Sequence, residues 1–483
     1  MISAAVSGPR RGFTVAMVSP PHGFPARVYN PRMTDPADNL ETYLVGGAVR
    51  DRLLGIEVQD RDWVVVGATA EAMLERGFTP VGDDFPVFLH PRSGEQYALA
   101  RQERKTARGY RGFKINSDPG ITLQQDLQRR DLTINAIAMD AAGNLIDPFG
   151  GARDLERRLL RHISPAFAED PVRVLRVARF RARFAGRGFT VHAGTRRLMA
   201  RMVEAGEVDA LQPQRVWQEL HGALLQPGTA AFIEELRACG ALAKILPEVD
   251  ALFGVPQPAE HHPEIDTGRH TLLTLDAAHR LSDDPRVIFA ALVHDLGKAL
   301  TPRAQWPSHR GHERRGLAAV AAVCERLHAP AKYRKLALAV CEFHLHHHRL
   351  RELKPATALD LLEKLDAFRQ PENARLFALA CTADLRGRTG MQDIDCPQAA
   401  LLAEYHRAAL AVDAGAVAAE VAGDSAGDSA GDSADSSADN LADDSTVAPD
   451  RRAGAKIKQQ LRRRRIAAIA AVKSRTAAEA AAA

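Results

Sequence analysis

The sequence has no long hydrophobic run and few cysteines. None of its apolar stretches approaches the ~20 residues that a helix needs to cross a bilayer, so we expect no membrane-spanning segment. The five cysteines are scattered and form no C-x-x-C pair, which argues against a zinc knuckle and a disulfide framework. We therefore expect a protein of the reducing cytoplasm. The cysteines are Cys239, Cys324, Cys341, Cys381 and Cys396.

Net charge is also small, at +4 for 483 residues, yet charges of opposite sign are separated along the chain. Arginine clusters fill residues 101–215 and 462–465, whereas acidic residues concentrate at 424–450. Local basic surfaces, and not the overall charge, would therefore bind a polyanion. The composition, 46% hydrophobic and 26% charged, is typical of a globular protein. The length predicts about three domains.

The stretch from Tyr43 to Val66, YLVGGAVRDRLLGIEVQDRDWVVV, predicts a strand, a glycine turn, a short helix and a second strand. Gly46 and Gly47 lack the Cβ that would keep backbone N–H groups away from a phosphate, and the helix N-terminus adds positive potential. Asp60 and Asp62 are two residues apart, so in an extended strand both carboxylates would share one face and could reach one Mg²⁺ ion.

Each half of this unit also has an ordinary explanation. Glycine pairs commonly make turns, and Asp-x-Asp often marks a solvated strand edge. Their occurrence together in one short strand-helix-strand unit favours a site for a nucleoside triphosphate and a metal. The sequence thus predicts metal-dependent nucleotidyl transfer. Glu95 and Glu103 are candidates for a third metal-binding carboxylate, between which the sequence does not choose.

Further elements follow along the chain. Residues 69–76 predict a helix, and the segments FPVFLHP and EQYALAR predict two strands. Residues 101–120 are basic, dotted with glycine and without periodicity. We expect a mobile loop there, either near phosphates or simply on the solvated surface.

Arg129, Arg130 and Asp131 precede an apolar strand led by Asn135. Arginines in this position could hold triphosphate oxygens through bidentate guanidinium contacts. A charged helix end that faces only solvent is the alternative.

The segment SPAFAEDPVRVLRVARFRARF predicts an amphipathic helix. Pro171 suits the first turn and Asp170 the cap, and Arg173, Arg176 and Arg179 follow at three-residue steps along one face. Such a row often faces solvent, and the aspartate could merely cap its helix.

Hydrogen-bond complementarity suggests more for Asp170 and Arg173. Cytosine and adenine both present an amino donor beside a ring-nitrogen acceptor, whereas uracil and guanine present a carbonyl beside an N–H. A carboxylate accepts and a guanidinium donates, so this pair would match C and A and oppose U and G. Because buried unpaired groups can reject a wrong partner by ~10⁴-fold, one pair could select two bases without a nucleic-acid template.

The motifs LVGGAVRD, Asp60-Arg61-Asp62, RRDLTINA and EDPVRVLRVARF, in this order, resemble those of the bacterial class II CCA-adding tRNA nucleotidyltransferases, relatives of the polymerase-β-like superfamily. The resemblance implies template-independent addition of CCA to tRNA 3′ ends from CTP and ATP. It implies Mg²⁺ at the two aspartates and base recognition by Asp170 and Arg173. The nucleotide-binding residues that it implies are Gly47, Arg50, Arg130, Asp170, Arg173, Arg176 and Arg179.

Histidines become frequent between His261 and His348. His270 lies on a predicted helix, and the adjacent His294 and Asp295 end another. Imidazole and carboxylate are ligands of Zn, Fe, Mn, Ni or Co, and helices that present them inward can cage such an ion.

This arrangement resembles the HD phosphohydrolase superfamily. The resemblance implies catalytic roles for His294 and Asp295 and a divalent transition metal such as Ni²⁺ or Mn²⁺. A bound metal would favour hydrolysis of phosphate esters. The metal ligands that it implies are His270, His294, Asp295 and Asp384.

Other residues of this region have less defined expectations. His312 and His344 are candidate ligands of a second metal, and Lys298 could contact phosphate. The run 346–348 predicts a solvated histidine cluster. Residues 180–255 predict helices without chemistry that we can assign.

The resemblance covers residues 42 to about 410 and resumes at 454–473. There Gly454, Ile457, Lys458 and the arginine run suggest an RNA-backbone contact. Between these parts lies the acidic low-complexity segment 422–446, which cannot bury a core and should be disordered. It leaves the placement of the terminal helix open.

The expected fold is α+β, with a small polymerase-β-like nucleotidyltransferase head followed by an all-helical neck, an HD-type body and a tail. The expected parts are a disordered N-terminal extension (1–38), the nucleotidyltransferase head (39–165), a helical neck with the base-recognition helix (166–256), an HD phosphohydrolase domain (257–370), a helical tail (371–421), an acidic disordered insertion (422–450) and a basic C-terminal helix (451–483).

The preferred function combines CCA addition with phosphohydrolase activity for RNA 3′-end repair, as a 2′,3′-cyclic phosphodiesterase, 2′-nucleotidase and phosphatase. Expected partners are tRNA, ATP and CTP, with no membrane, in a monomer or homodimer. One alternative is a bacterial poly(A) polymerase, which adds A only and is not expected to carry the histidine-rich body. Another is a non-catalytic RNA- or nucleotide-binding HD protein, which the joint presence of both residue sets disfavours.

Overall fold

The structure is a computed structural model that describes residues 35–81, 87–105, 113–428 and 449–482. The expected disorder of residues 1–38 concerns a segment that lies almost wholly outside these ranges. Among the described residues, no helix combines the length and the apolar character needed to cross a membrane.

The N-terminal part is a head built on a mixed sheet. Its strands are β1 (Glu41–Val45), β2 (Asp62–Val66), β3 (Thr79–Pro80), β4 (Val87–Leu89), β5 (Gln96–Leu99), β6 (Gln102–Lys105), β7 (Phe113–Asn116), β8 (Ala138–Met139), β9 (Leu145–Ile146) and β10 (Leu159–Leu160). Its helices are α1 (Gly47–Leu53), α2 (Ala70–Glu75), α3 (Leu123–Gln128) and α4 (Gly151–Glu156).

Within the described residues, seven of these strands form one sheet in the order β3-β4-β5-β2-β1-β8-β9. β1 runs antiparallel to β2 and β8, and β2 runs parallel to β5. Successive side chains of a strand point to opposite faces, and Leu44 and Val45 accordingly enter two different hydrophobic clusters. The sheet is therefore covered on both faces.

Two local expectations for the head are wrong. Residues 102–105 and 113–116 do not belong to a loop, because they form β6 and β7, whose antiparallel ladder satisfies their backbone groups. Gly109 and Gly112 lie between these strands, outside the described residues. Asn135 does not lead a strand: Thr133–Asn135 is a 3₁₀ turn in which the N–H of Asn135 donates to the carbonyl of Leu132.

A helical neck follows, starting with α5 (Val172–Arg183). The short strand β11 (Thr190–Val191) pairs with β10. The other neck helices are α6 (Ala193–Glu204), α7 (Pro213–Leu224), α8 (Thr229–Ala238), α9 (Leu242–Ile245) and α10 (Pro247–Asp250). The apolar residues of α5 that alternate with its arginines are buried against α7 and α8.

The body and tail complete the described chain. Asp266 and Asp284 cap the first two body helices by accepting hydrogen bonds from the N–H groups of Arg269 and Arg286. The body helices are α11 (Thr267–Leu281), α12 (Pro285–Val293), α13 (His312–Arg326), α14 (Ala331–His348), α15 (Pro355–Lys364) and α16 (Glu372–Arg386). The tail helices are α17 (Pro397–Leu410), α18 (Ala414–Asp428) and α19 (Pro449–Ala482).

One hydrophobic core continues from one face of the head sheet through the neck into the body and α19. It includes Leu44 in the head, Leu175 in the neck, Val293 in the body and Ile469 in the terminal helix. Burial of apolar area is the main favourable term in folding, so this core holds the head, neck and body together.

The terminal helix uses its arginines within the chain. Arg462 donates to Asp360 at 2.5 Å and Glu363 at 2.7 Å, while the guanidinium of Arg465 lies 3.9 Å from the ring centre of Phe368. Within the chain, these two arginines thus have acidic and aromatic partners, and the RNA contact expected of this run stays a prediction. Exposed ion pairs contribute little stability, so they orient α19 while burial of apolar residues such as Ile469 fixes it.

The acidic segment is helical where it begins. α18 continues to Asp428, into the part expected to be disordered, because the alanine-rich residues that precede it favour a helix. Residues 429–448 lie outside the described part.

We expect the substitution Gly297→Ala to destabilise the body. The added Cβ would lie 1.9 Å from the carbonyl oxygen of His312, a backbone atom that cannot turn away. Overpacking of this kind typically costs about 1–3 kcal/mol, which urea unfolding followed by circular dichroism would measure. The control is Gly454→Ala in α19, where no atom lies within 4 Å. Its added helix propensity should stabilise by up to about 1 kcal/mol. Equal stability of the two variants would contradict the expectation.

Candidate active sites

The head contains a cavity of about 470 Å³ where the glycine turn, β2, residues 129–135, α5 and α7 meet. Eight arginines and three aspartates line it, so it is strongly basic and suits a polyphosphate. Every residue predicted to bind nucleotide lies in this lining. They are Gly47, Arg50, Arg130, Asp170, Arg173, Arg176 and Arg179, with Asp62 beside them.

The glycine turn holds two arginines close to the backbone. Gly46 has a φ of 68°, and a Cβ there would lie 2.7 Å from Nη1 of Arg130. Only glycine combines this conformation with that close approach. On α1, Arg50 is buried, donates to Asp51 at 2.8 Å and Asn135 at 2.6 Å, and is thereby fixed in one orientation.

The two aspartates predicted to bind metal lie at the start of β2. The strand begins at Asp62, so Asp60 precedes it instead of sharing it, and Asp60 is exposed. Burial raises the pKa of Asp62, and the charge of Asp60 raises it further while Arg130 opposes both effects. The carboxylates are thus close enough to interact, and their hard oxygens fit a Mg²⁺ ion, which would also relieve their mutual repulsion.

A third carboxylate is not supplied by Glu95. Its oxygens accept from Nε1 of Trp63 at 3.0 Å and lie 3.5 Å from Nη1 of Arg61. The side chain of Glu103 lies outside the described residues.

Buried carboxylates hold the arginines of α5. Nε of Arg176 donates to Asp131 at 2.8 Å, and Nε of Arg179 donates to Glu219 at 2.5 Å. Burial opposes ionisation of Asp131, but the charge of Arg176 and a hydrogen bond from Asn135 lower its pKa to about 2. Each guanidinium is therefore anchored at its Nε edge in a fixed position.

The predicted base-recognition pair lies in the same cavity as the glycine turn. Asp170 accepts from the N–H of Val172 at 3.1 Å and from both Nη atoms of Arg215, at 3.4 and 3.3 Å. Arg173 donates to the carbonyls of Ala166 at 3.1 Å and Arg129 at 2.6 Å. Both side chains are thus fixed by neighbours before any ligand binds.

Residues 180–255, to which the sequence assigned no chemistry, contribute two side chains that hold residues of the head cavity. Helix α7 brings Arg215 to Asp170 and Glu219 to Arg179. The only local signal for these two residues was their spacing of four, which places them on one face of a helix.

A second cavity, of about 370 Å³, lies in the body. It is lined by the segment before α11, by residues 307–313 and by α14 and α16. All four predicted metal ligands converge beside it, together with His312 and His344. They form two groups, His270-His294-Asp384 and Asp295-His312-His344, whose ligand atoms lie within 4.8 Å of one another in each group.

Main-chain carbonyls fix the tautomers of the four histidines in these groups. In each, Nδ1 lies 2.8 to 3.2 Å from a carbonyl oxygen. A carbonyl only accepts, so each Nδ1 carries a hydrogen and the neutral ring presents a lone pair at Nε2. The pairs are His270 with Gly387, His294 with Ala291, His312 with His309, and His344 with Val340.

These lone pairs face other acceptors. Nε2 of His294 lies 3.2 Å from Oδ2 of Asp295, and Nε2 of His312 lies 3.1 Å from Nε2 of His344. A lone pair repels a carboxylate oxygen or a second lone pair, so the cluster requires positive charge. Burial lowers the pKa of His294, but Asp295 and Asp384 outweigh it and raise the pKa to about 10. The donor set therefore fits a divalent metal, which would supply this charge.

The predicted solvated cluster at 346–348 is wrong for two of its three residues. His347 is fully buried beside Phe377, and His348 lies with Nε2 2.6 Å from Asp384. Successive residues of a helix point 100° apart, so a run of three cannot share one solvated face. Lys298, predicted to contact phosphate, lies 2.6 Å from Asp295.

Three family models match the chain: the Poly A polymerase head domain at residues 42–161, the probable RNA and SrmB-binding site of polymerase A at 188–253, and the HD domain at 267–384. The multifunctional CCA protein of Thioalkalivibrio sulfidiphilus is 61% identical over 375 residues, which cover 78% of this chain and 92% of that protein. The multifunctional CCA protein of Methylococcus capsulatus is 60% identical over 375 residues, or 77% and 88%.

The chain belongs to the multifunctional CCA protein family. The predicted family is thus confirmed, and the chain is an enzyme. The structure also resembles a solved CCA-adding enzyme in complex with CTP, with a TM-score of 0.55, 18% identity and coverage of 89% of each chain. This likeness concerns the fold alone. Together with the family models of the head and the HD domain, it confirms the predicted α+β architecture.

We expect the substitution His347→Leu to change how the stability of the chain depends on pH. Burial and the charge of His348 lower the pKa of His347 to about 3. Between pH 6.5 and about pH 3, His347 is protonated in the unfolded chain but stays neutral in the folded chain, where its ring is buried. The native chain should therefore lose up to about 1.4 kcal/mol per pH unit as pH falls below 6.5. The leucine variant should lack this contribution.

Urea unfolding at pH 5 and pH 8 measures the effect. At pH 8 the variant should be at least as stable as the parent, since both ring nitrogens of His347 are buried without a hydrogen-bond partner among the described residues. The same loss of stability between the two pH values in parent and variant would contradict this expectation.

Proposed function

We propose that the head adds C, C and A to tRNA 3′ ends from CTP and ATP, and that the body hydrolyses phosphate esters at RNA ends. The observation that carries the first part is the head cavity, whose lining joins the glycine turn, Asp62 and the Asp170–Arg173 pair. The second part rests on the convergence of histidines and carboxylates with uncompensated acceptors in the body.

In the head, the arginines would bind the triphosphate while Asp60 and Asp62 hold Mg²⁺. Bound there, Mg²⁺ would neutralise charge that develops on the reacting phosphate. Arg130 and Arg176, already oriented by Asp126 and Asp131, would hold the phosphates without further ordering. The RNA 3′-oxygen would bond to the α-phosphorus, and pyrophosphate would leave.

Base selection would use Asp170 and Arg173. The carboxylate can accept from the amino group of cytosine or adenine, and the guanidinium can donate to the adjacent ring nitrogen. Arg215 holds the carboxylate of Asp170, so the acceptor side of this pair is pre-oriented. Two bases would then be accepted by one protein template.

In the body, His270, His294, Asp295 and Asp384 would hold a transition metal such as Ni²⁺ or Mn²⁺, to which imidazole ligands are suited. Such an ion polarises a phosphate ester and lowers the pKa of bound water toward ~7. Opening a 2′,3′-cyclic phosphate and removing the resulting 2′-phosphate would leave the free 3′-hydroxyl that nucleotide addition needs.

The rival function is that of a poly(A) polymerase, since the head matches the model of that name. The HD domain and the relatives named multifunctional CCA protein favour CCA addition. A non-catalytic binding protein is disfavoured because all the predicted nucleotide-binding residues line the head cavity and the four predicted ligands of the body converge in two clusters. The domain boundaries predicted from sequence, a cytoplasmic location and a monomeric or homodimeric state belong to the same proposal.

Asp62→Asn should lower the rate of addition of both C and A by at least about 10²-fold, the loss that is typical when transition-state charge stabilisation is removed. Hydrolysis of 2′,3′-cyclic phosphates should persist. The matched variant is Asp295→Asn, which should lose hydrolysis and keep addition. For both variants, addition is measured with labelled CTP or ATP on a tRNA that lacks its CCA end. Hydrolysis is measured on the same tRNA ending in a 2′,3′-cyclic phosphate. Unlimited A addition without use of C would favour the poly(A) polymerase instead.

Asp170→Asn should relax base selection. An amide offers a donor as well as an acceptor, so the carbonyl of uracil would no longer face a group that only accepts. The ratio of kcat/KM for CTP over UTP should fall by about 10²-fold or more, as when a buried polar mismatch is removed. Asp209→Asn, at an exposed neck position, is the control and should keep the ratio. Unchanged discrimination in the Asp170 variant would reject the assignment.

A further inference from the structure

A buried acid outside the four predicted ligands contacts one of them. Oε1 of Glu264 lies 3.0 Å from Nδ1 of His270 and 3.1 Å from Nδ1 of His262. Oε2 accepts from the N–H of Thr389 at 3.1 Å. The side chain of Glu264 is only 1% exposed, so its charge is stabilised by these three donors and not by water.

The geometry settles where the hydrogens lie. A carboxylate and a carbonyl only accept, and Nδ1 of His270 faces both Glu264 and the carbonyl of Gly387. Nδ1 of both imidazoles must therefore carry the hydrogen. Burial raises the pKa of Glu264, but the hydrogen bonds from His262 and His270 outweigh it and hold this pKa below its ordinary value.

In its neutral form, each imidazole then has its lone pair at Nε2. That of His270 lies 3.0 Å from Asp384 and 3.8 Å from Asp295, within the predicted metal cluster. His262 lines the body cavity, and its Nε2 has no hydrogen-bond partner among the described residues. One carboxylate thus orients two imidazole rings, one toward the metal cluster and one toward the body cavity.

We propose that Glu264 is a positioning residue that locks His270 and His262 as Nδ1–H tautomers, so that His270 presents a lone pair to the metal and His262 presents one to a substrate hydroxyl in the cavity. The proposal rests on the hydrolytic function proposed for the body. Partners that orient metal-bound histidines typically contribute 10- to 100-fold in metal affinity, about the range expected here. A ribose hydroxyl beside the phosphate is the substrate group that His262 would recognise.

The test is Glu264→Gln in the full chain. A glutamine has one oxygen and one NH₂ group, so it must direct a donor either at the N–H of Thr389 or at the two imidazole N–H groups. Titration calorimetry with Mn²⁺ should show affinity weaker by about 10- to 100-fold. CCA addition by the head should be unchanged and reports that the variant is folded. The matched control is Glu260→Gln, an exposed acid of the same segment.

The results separate the alternatives. Unchanged Mn²⁺ affinity in Glu264→Gln would overturn the proposal. Loss of one bound Mn²⁺ ion, with unchanged affinity for the remaining ions, would also overturn it, because Glu264 would then be a metal ligand itself. Partial recovery in Glu264→Asp, which keeps an acceptor-only group, would support it. Independently of any variant, ¹⁵N spectra of the metal-free chain should show a hydrogen at Nδ1 of both His262 and His270. A ring of either residue that carries its hydrogen at Nε2 and none at Nδ1 would overturn the proposal.

His262→Phe tests the second ring. It should leave Mn²⁺ affinity unchanged and raise KM for a ribonucleoside 2′-phosphate by about tenfold, the equivalent of one lost hydrogen bond. An unchanged KM would remove the substrate role of His262. If the parent chain binds Mn²⁺ yet hydrolyses no phosphate ester, the proposed hydrolytic function fails while the role of Glu264 toward the metal stands.

Discussion

Eight arginines line one cavity of the head, and their mutual repulsion is the constraint on which the head–neck junction depends. Buried carboxylates offset it, each contributed by a different element. Asp51 on α1 binds Arg183 of α5 at 2.8 Å, Asp131 binds Arg176, and Glu219 on α7 binds Arg179. The ion pairs therefore join the elements that form the cavity, and they fix the guanidinium groups in position before a nucleotide arrives.

The body shows the opposite imbalance. Its metal cluster gathers imidazoles and carboxylates whose charge Lys298 and Arg388 offset only in part, so it fits a cation where the head fits an anion. The main chain participates, because carbonyls of four turns direct Nε2 of each histidine inward. The two sites thus share a principle: surplus charge of one sign is held rigidly, ready for a ligand of the other sign.

Sequence reasoning located the residues whose roles depend on local spacing. Gly47, Asp62 and the α5 arginines were found because a turn, a strand start and a helix face can be inferred from neighbouring residues. Arg215 and Glu219 were missed because their partners come from α5 and the turn before it, and Glu264 because its contact with His270 depends on how the chain enters α11. The solvent exposure predicted for His347 was wrong for a related reason. Burial depends on which helix packs against α14, and here α16 does so with Phe377.

The uninterrupted apolar interior from the head sheet to α19 has a consequence for how two reactions would be performed on one RNA. Lobes joined by a dry, shared interior do not swing independently, since separating them would expose that interior to water. The two catalytic chambers would consequently keep a fixed spacing. An RNA end that has been hydrolysed in the body cavity would have to dissociate and rebind at the head cavity. The RNA would therefore move between the two sites while the protein stays rigid.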